Sequence, residues 1–169
     1  DLFRTDERIN LTEQKIRREI VIHGSVHGAG SFPGLLVLMS LVKDAERIGD
    51  YGKNVFDLAV ARQGLHDDEE RDKLVEMKDV ISKLMIRAIA VCETQEVEAA
   101  RKLTWEADGI ADQCDSAIDR LVALKSVNPA IAVLCFRYYK RIVGHISNVV
   151  SSIFMPVDKL DFFDEDRPR

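Results

Sequence analysis

The stretch Asp44-Ala45-Glu46-Arg47-Ile48-Gly49-Asp50-Tyr51-Gly52-Lys53-Asn54 lies inside a long apolar-periodic segment with no internal proline, and its reading decides the fold. The period is helical, since Leu38, Val42, Ala45, Ile48, Gly52, Val55 and Ala59 recur at three- and four-residue steps and predict one buried seam. On that helix Glu46 and Asp50 stand one above the other, with Asn54 a turn further on, at outer positions facing solvent. Like charges so spaced repel by a few tenths of a kcal/mol, so something positive should offset them. Lys43, Arg47 and Lys53 can do so as an ion-paired surface. The alternative is a hard or borderline metal cation held through carboxylate oxygens, with further acids from a neighbouring helix. Gly49 and Gly52 leave room for another helix to approach closely.

Composition sets the class around this helix. Of 169 residues, 46% are hydrophobic, enough for a substantial core in one domain or two small ones. Aromatic, Pro and Gly residues are sparse, while Ala, Leu, Glu, Lys and Arg fill long breaker-free gaps, the composition of an all-α protein. The net charge of −5, with neither a basic tail nor a basic helix face, argues against nucleic acid and anionic lipid and favours cations as partners. The longest near-apolar run, residues 35 to 42, is too short to span a bilayer and no signal peptide heads the chain, so no membrane insertion and a cytoplasmic location are expected. Cys92, Cys114 and Cys135 form no CxxC pair and leave one thiol over from any disulfide; buried thiols in a reducing compartment are expected.

Taken in order, the chain opens on Asp1 rather than Met. Leu2, Ile9, Ile16 and Ile20 recur among charges and predict an amphipathic helix from about 6 to 22. Four glycines and a proline between 23 and 34 predict a loop, which makes His23 and His27 loop residues despite their i,i+4 spacing. Pro33 opens the helix that carries Glu46 and Asp50, and Gly64 closes it. An acidic segment from 66 to 70, with His66 at the surface, leads into a helix with the seam Leu74, Met77, Ile81, Leu84, Ala88 and Val91.

Thr94 is the predicted N-cap of the next helix, which is expected to reach about 125 on the seam Ala100, Leu103, Ala107, Ile110, Cys114, Ala117, Leu121 and Leu124. Beside that seam Asp108, Asp112, Asp115 and Asp119 form a stripe at steps of four, three and four. Asp is a poor interior helix former and these charges repel, so a bound cation or basic residues from a neighbouring helix should compensate. Asn128-Pro129 starts a last helix, expected to run to about 155 with Ile131, Leu134, Tyr138, Ile142, Val149 and Ile153 inward and Pro156 as its stop. The tail alternates Leu160, Phe162 and Phe163 with acids and is expected to dock on the bundle, since exposed adjacent phenylalanines invite aggregation.

An internal overlay ties these elements together. Residues 47 to 55 lie over 141 to 149 with Arg, Ile, Asn and Val matched at one offset, while Asp6, Glu13 and Ile16 fall on Asp108, Asp115 and Ile118. One supersecondary unit used twice is implied. Residues 1–65 make a first unit of two helices, 66–156 a second of three and 157–169 a C-terminal tail, so the first unit lacks its first helix in this chain.

On these residues the chain resembles the PhoU family, the phosphate-uptake regulators of bacteria and archaea. The third helix of each three-helix repeat in that family reads like ERIGDxxxN, matched in full by Glu46-Arg47-Ile48-Gly49-Asp50 followed by Asn54, and Asp6, Asn10 and Glu13 are similar to the acidic helix before it. The resemblance covers nearly the whole chain and implies an all-α fold of tandem three-helix-bundle repeats. It also implies iron or zinc held on the outer bundle surface by E/DxxxD carboxylates, here Glu46, Asp50, Asp6 and Glu13 in the first unit and Asp108, Asp112 and Asp115 in the second. The implied role is non-enzymatic, coupling a phosphate transporter to a sensor kinase, usually as a homodimer.

The second unit departs from the pattern, with Lys140 in the place of Glu46 and Gly144 in that of Asp50. Lys140 is then expected to meet the Asp stripe as an internal salt bridge. Arg17 takes the place of Asp119 in the first unit, and His145, over Tyr51, reads as a packing or surface histidine. Two other functions remain open. One is a metal-free helical interaction module with both acid stripes solvated or ion-paired. The other is a di-metal carboxylate enzyme, but such sites use Glu-x-x-His ligands, and no Glu here precedes a His at that spacing. No Gly-rich phosphate loop or Ser-His-Asp set is visible either, so no enzymatic activity is expected. The first unit's uncovered apolar face predicts a homodimer.

Overall fold

The computed structural model of the chain describes residues 2–61, 68–123 and 129–161. Five helices make the fold: α1 (Leu2–His27), α2 (Phe32–Ala61), α3 (Asp68–Thr94), α4 (Val97–Ala123) and α5 (Ala130–Ser151), with single 3-10 turns at Ala29–Ser31 and Val157–Lys159. The all-α expectation holds, and no strand occurs among the described residues. Helices α3, α4 and α5 pack on one another, α2 lies along α5, and α1 lies along α2. Among the described elements α1 touches only α2 and the first 3-10 turn. No described helix is long and apolar enough to cross a membrane.

The core sits in the α3–α5 bundle, where the seams predicted for α3 and α4 supply Leu74, Ile81, Leu84, Ala88, Ala100, Leu103, Ala107, Ile110, Cys114 and Leu121. Burying each large aliphatic among them stabilises the fold by about 1.5–3 kcal/mol. The inward face of α5 differs from the expected one. Leu134 is 41% exposed, whereas Phe136, Val143, Ile146 and Val150 are buried. Helices α2, α3 and α4 all lean on α5, so its apolar residues cover most of its circumference and no single stripe fixes its phase. All three cysteines are free; Cys114 and Cys135 are buried, and burial pushes the Cys114 thiol up to about 12.

Three helix boundaries are corrections to the sequence reading. Helix α1 continues through the expected loop to His27, because Gly24 acts as a contact rather than a breaker. A Cβ there would stand 3.3 Å from Leu35 Cδ1 and 3.4 Å from Phe32 Cε1, so the bare backbone lets the start of α2 close on α1. That packing outweighs the roughly 1 kcal/mol a mid-helix glycine costs. The helix stops at Gly28, whose φ of +75° only glycine adopts without strain and whose N–H bonds Gly24 O at 3.1 Å.

Thr94 closes α3 instead of capping α4: its Oγ1 donates to Val91 O at 3.3 Å, and Gln95, with φ of 56°, makes the turn. Helix α5 ends at Ser151, short of 155, where Ser151 and Ser152 hydroxyls donate to Asn148 O and Val149 O and compete with the helical ladder. Gly49 does admit another helix, a Cβ there lying 3.0 Å from Ile9 Cδ1, but Gly52 has nothing within 4 Å. The expected features at Gly64, His66, Leu124, residue 125, Asn128, Phe162 and Phe163 lie outside the described residues. The described part of the tail does dock, with Val157–Lys159 on α2 and Ser40 Oγ donating to Asp161 Oδ2 at 3.4 Å.

Candidate functional site

The acids Asp6, Glu13, Glu46 and Asp50 converge between α1 and α2. Glu13 is buried on α1 and Glu46 on α2, each at 8% exposure, and Asp6 and Asp50 beside them are half-buried. The outward, solvent-facing placement expected for Glu46 and Asp50 is therefore corrected: they face the groove against α1. Ala45, expected inward, is exposed, because α2 is covered on two sides, with Asp44 against α5 and Glu46 against α1.

Four cations match the four carboxylates. Arg17 Nη2 lies 2.8 Å from Glu13 Oε1; Lys43 Nζ lies 2.5 Å from Glu46 Oε2 and 3.8 Å from Glu13 Oε1. Lys53 Nζ donates to Asp6 Oδ2 at 3.0 Å and stands 3.8 Å from Asp50, whose other oxygen is 3.5 Å from Arg47. Two features strain this neutral set. Glu13 Oε1 is sealed from solvent and, although Arg17 and Lys43 neutralise it, neither gives it an aligned hydrogen bond. The Asp50 carboxyl is raised above its usual range by burial first and then by the neighbouring Glu46 charge, against the pull of Lys53 and Arg47.

The acid stripe of α4 divides. Lys140 meets Asp115, the internal salt bridge expected from the overlay. Asp108 and Asp112 line a cleft of about 260 Å³ with Lys140, Gly144, Ser147, Asn148 and Asp161. Asp119 is exposed outside it. Thus Asp6, Glu13, Glu46 and Asp50 come together across two helices, whereas Asp108, Asp112 and Asp115 remain a row on one. Among the described residues no three His, Cys, Asp or Glu side chains are arranged as a ready metal cage.

One functional group escapes the sequence reading. Asp44, 6% exposed, accepts from His145 Nδ1 at 2.7 Å and Asn148 Nδ2 at 3.1 Å, tying α2 to α5. His145 also stacks on Tyr51, with ring centroids 5.7 Å apart, and so joins the interface between the helices rather than the open surface. The signal was present: Asp44, Ile48, Tyr51 and Val55 step by four, three and four, which puts a carboxylate on an apolar helix face. The Asp161 carboxyl, at the mouth of the second cleft, is raised by partial burial first and then by the Asp44 charge.

Fold and site together define an all-helical protein with a buried, charge-balanced carboxylate cluster between two long helices. Comparison with family models, with curated proteins and with solved structures gives no match to this chain.

Proposed function

We propose that this chain is a PhoU-like regulatory adaptor acting in phosphate-transport control, with a cation site at the acid cluster of α1 and α2. The observation that carries the metal part is the convergence of Glu13, Glu46 and Asp50 between α1 and α2, with Glu13 Oε1 sealed from solvent without an aligned hydrogen bond and the Asp50 carboxyl raised by burial and the Glu46 charge. Carboxylate oxygens suit a hard or borderline ion such as iron or zinc, which would supply charge neutralisation in place of the lysines. Glu13, Glu46 and Asp50 would hold it, with Asp6 at the edge. Lys43 and Lys53 carry their ammonium groups on flexible stems, 38% and 26% exposed, and can swing into water when an ion enters.

The test is metal content by elemental analysis after anaerobic reconstitution with iron, comparing wild type with Glu46→Ala/Asp50→Ala at matched helicity. Stoichiometric iron in the first and none in the second is expected; iron in neither leaves the second reading. That reading, a metal-free helical interaction module, is favoured by the four-to-four ion pairing and by Lys140–Asp115. The regulatory part is tested by phosphate uptake in cells lacking the chain. Uptake released from repression at high phosphate is expected, and unchanged uptake overturns it. The partners in this reading are a second copy of the chain and a phosphate transporter or sensor kinase.

A further inference from the structure

Extension of α1 to His27 changes what two histidines can do. His23 and His27 lie one turn apart on continuous helix, both exposed; their rings stack at a centroid distance of 4.0 Å and an interplanar angle of 18°, so the in-plane lone pairs run side by side and meet at one ion once an exposed ring turns about its side-chain bonds. His27 Nδ1 stands 3.1 Å from His23 O. A carbonyl can only accept, so Nδ1 of His27 is the donor in this contact and Nε2 is the nitrogen left for an ion. An imidazole whose inner N–H is held by a backbone carbonyl is the arrangement that raises ligand basicity in metal sites.

The surroundings favour a cation as well. His27 occupies the last turn of α1, where the helix presents its negative end, and His23 lies one turn before it. No Lys or Arg occurs between residues 19 and 42, and Glu19 lies one turn before His23. The charged residues that share a cleft with His23 are Lys15 and Glu19; the α2 residues facing it there, Leu35 and Leu38, are apolar.

We propose that His23 and His27 form a two-imidazole site for a borderline divalent ion, copper(II), nickel(II) or zinc, with water in the remaining positions. Two nitrogen donors four residues apart bind such ions in preference to the oxygen-seeking magnesium or calcium. The site is separate from the carboxylate cluster in residues and in ligand chemistry.

Copper(II) titration of the full chain, followed by electron paramagnetic resonance, tests this. One saturable copper per chain with nitrogen coupling from imidazole is expected, unchanged in Glu46→Ala/Asp50→Ala. His23→Gln or His27→Gln should weaken binding by on the order of 10–100-fold or more, the range seen when only a ligand's supporting hydrogen bond is removed. A composition-neutral exchange, Ser25→His/His27→Ser, turns one imidazole to another side of the helix and should abolish the coupling while keeping helicity. Copper bound equally by wild type and these variants, or held through His66 or His145 instead, overturns the proposal, as does the absence of saturable binding in wild type.

Discussion

Glu70, in the first turn of α3, is 9% exposed at its side chain and gripped by Arg120 Nη1 at 2.6 Å and Nη2 at 2.8 Å, with Lys73 at 3.3 Å. These contacts, Arg120's hydrogen bonds first, hold its carboxyl below the usual range. A depressed carboxylate contributes stability that is complete above its unfolded value, near 4.5, and is lost as pH falls through the folded value. Glu70→Gln is therefore expected to cost about 1–3 kcal/mol at pH 7 and to flatten the acid side of the Tm profile below pH ~4.5. An unchanged profile in thermal melts would sink this. Asp50 has the opposite sign. Its raised carboxyl contributes nothing below 3.8, where both states are protonated, and opposes folding once pH exceeds the folded value. Asp50→Asn should raise Tm by about 1–3 °C at pH 7, a gain under ~1 kcal/mol, and leave it unchanged near pH 3. A lower Tm at pH 7 would show that the Arg47 and Lys53 contacts prevail. The cysteines give a third check at this scale. With the Cys114 thiol pushed up to about 12 and Cys135 also raised by burial, neither is nucleophilic at pH 8. Half-buried Cys92 should be the first alkylated by iodoacetamide in the folded chain, with all three reacting in denaturant.

At the scale of elements, the α1–α2 contact rests on two bare positions, Gly24 on α1 and Gly49 on α2. A Cβ at Gly49 would stand 3.0 Å from Ile9 Cδ1, closer than an ordinary methyl contact. Gly49→Ala gains about 1 kcal/mol of helix propensity and meets the flexible tip of Ile9, so its net effect should be small; Gly49→Leu should cost about 1–3 kcal/mol by forcing α1 away. In an Ile9→Ala background the penalty of Gly49→Leu should shrink, and equal penalties in both backgrounds, measured by denaturant melts, would place the clash elsewhere. Elements are also where legibility in the sequence varies most. The seams of α3 and α4 were readable because each helix buries one face and hides little of the other. The phase of α5 was not, since three neighbours share its surface. The junction between α1 and α2 was misread for a related reason: glycine weakens an isolated helix, and nothing local announces that Leu35 and Phe32 need the vacated space at Gly24. The carboxylate pairs themselves were visible by spacing; that Glu46 faces inward depends on where α1 sits, which no helical period encodes.

Across the whole molecule, burial is uneven. The fully buried large side chains, Phe136, Leu84, Leu103, Leu121, Val143 and Val150, all belong to α3, α4 and α5, whereas α1 buries only Glu13, Ile20 and Gly24. Local opening should follow this gradient. Hydrogen exchange is expected to be slowest in α4 and α5 and fastest in α1, and equal protection of α1 and α4 would contradict it. The open face of α1 and α2 carries Ile9, Ile16, Leu35, Leu38 and Val42 along two neighbouring clefts that share Thr12 and Ile16. Sedimentation at micromolar concentration should show a dimer that closes this face, and a well-behaved monomer counts against the second copy as its cover.

The position of α5 as the common neighbour of α2, α3 and α4 also governs when the molecule can form during synthesis. It is the last of the five helices to leave the ribosome, yet α2 and α4 both depend on it for their burial. The paired helices α1 and α2 must therefore wait, partly uncovered, while more than half of the chain is still being made, and this interval is where a chaperone or a nascent second copy has its opportunity to bind.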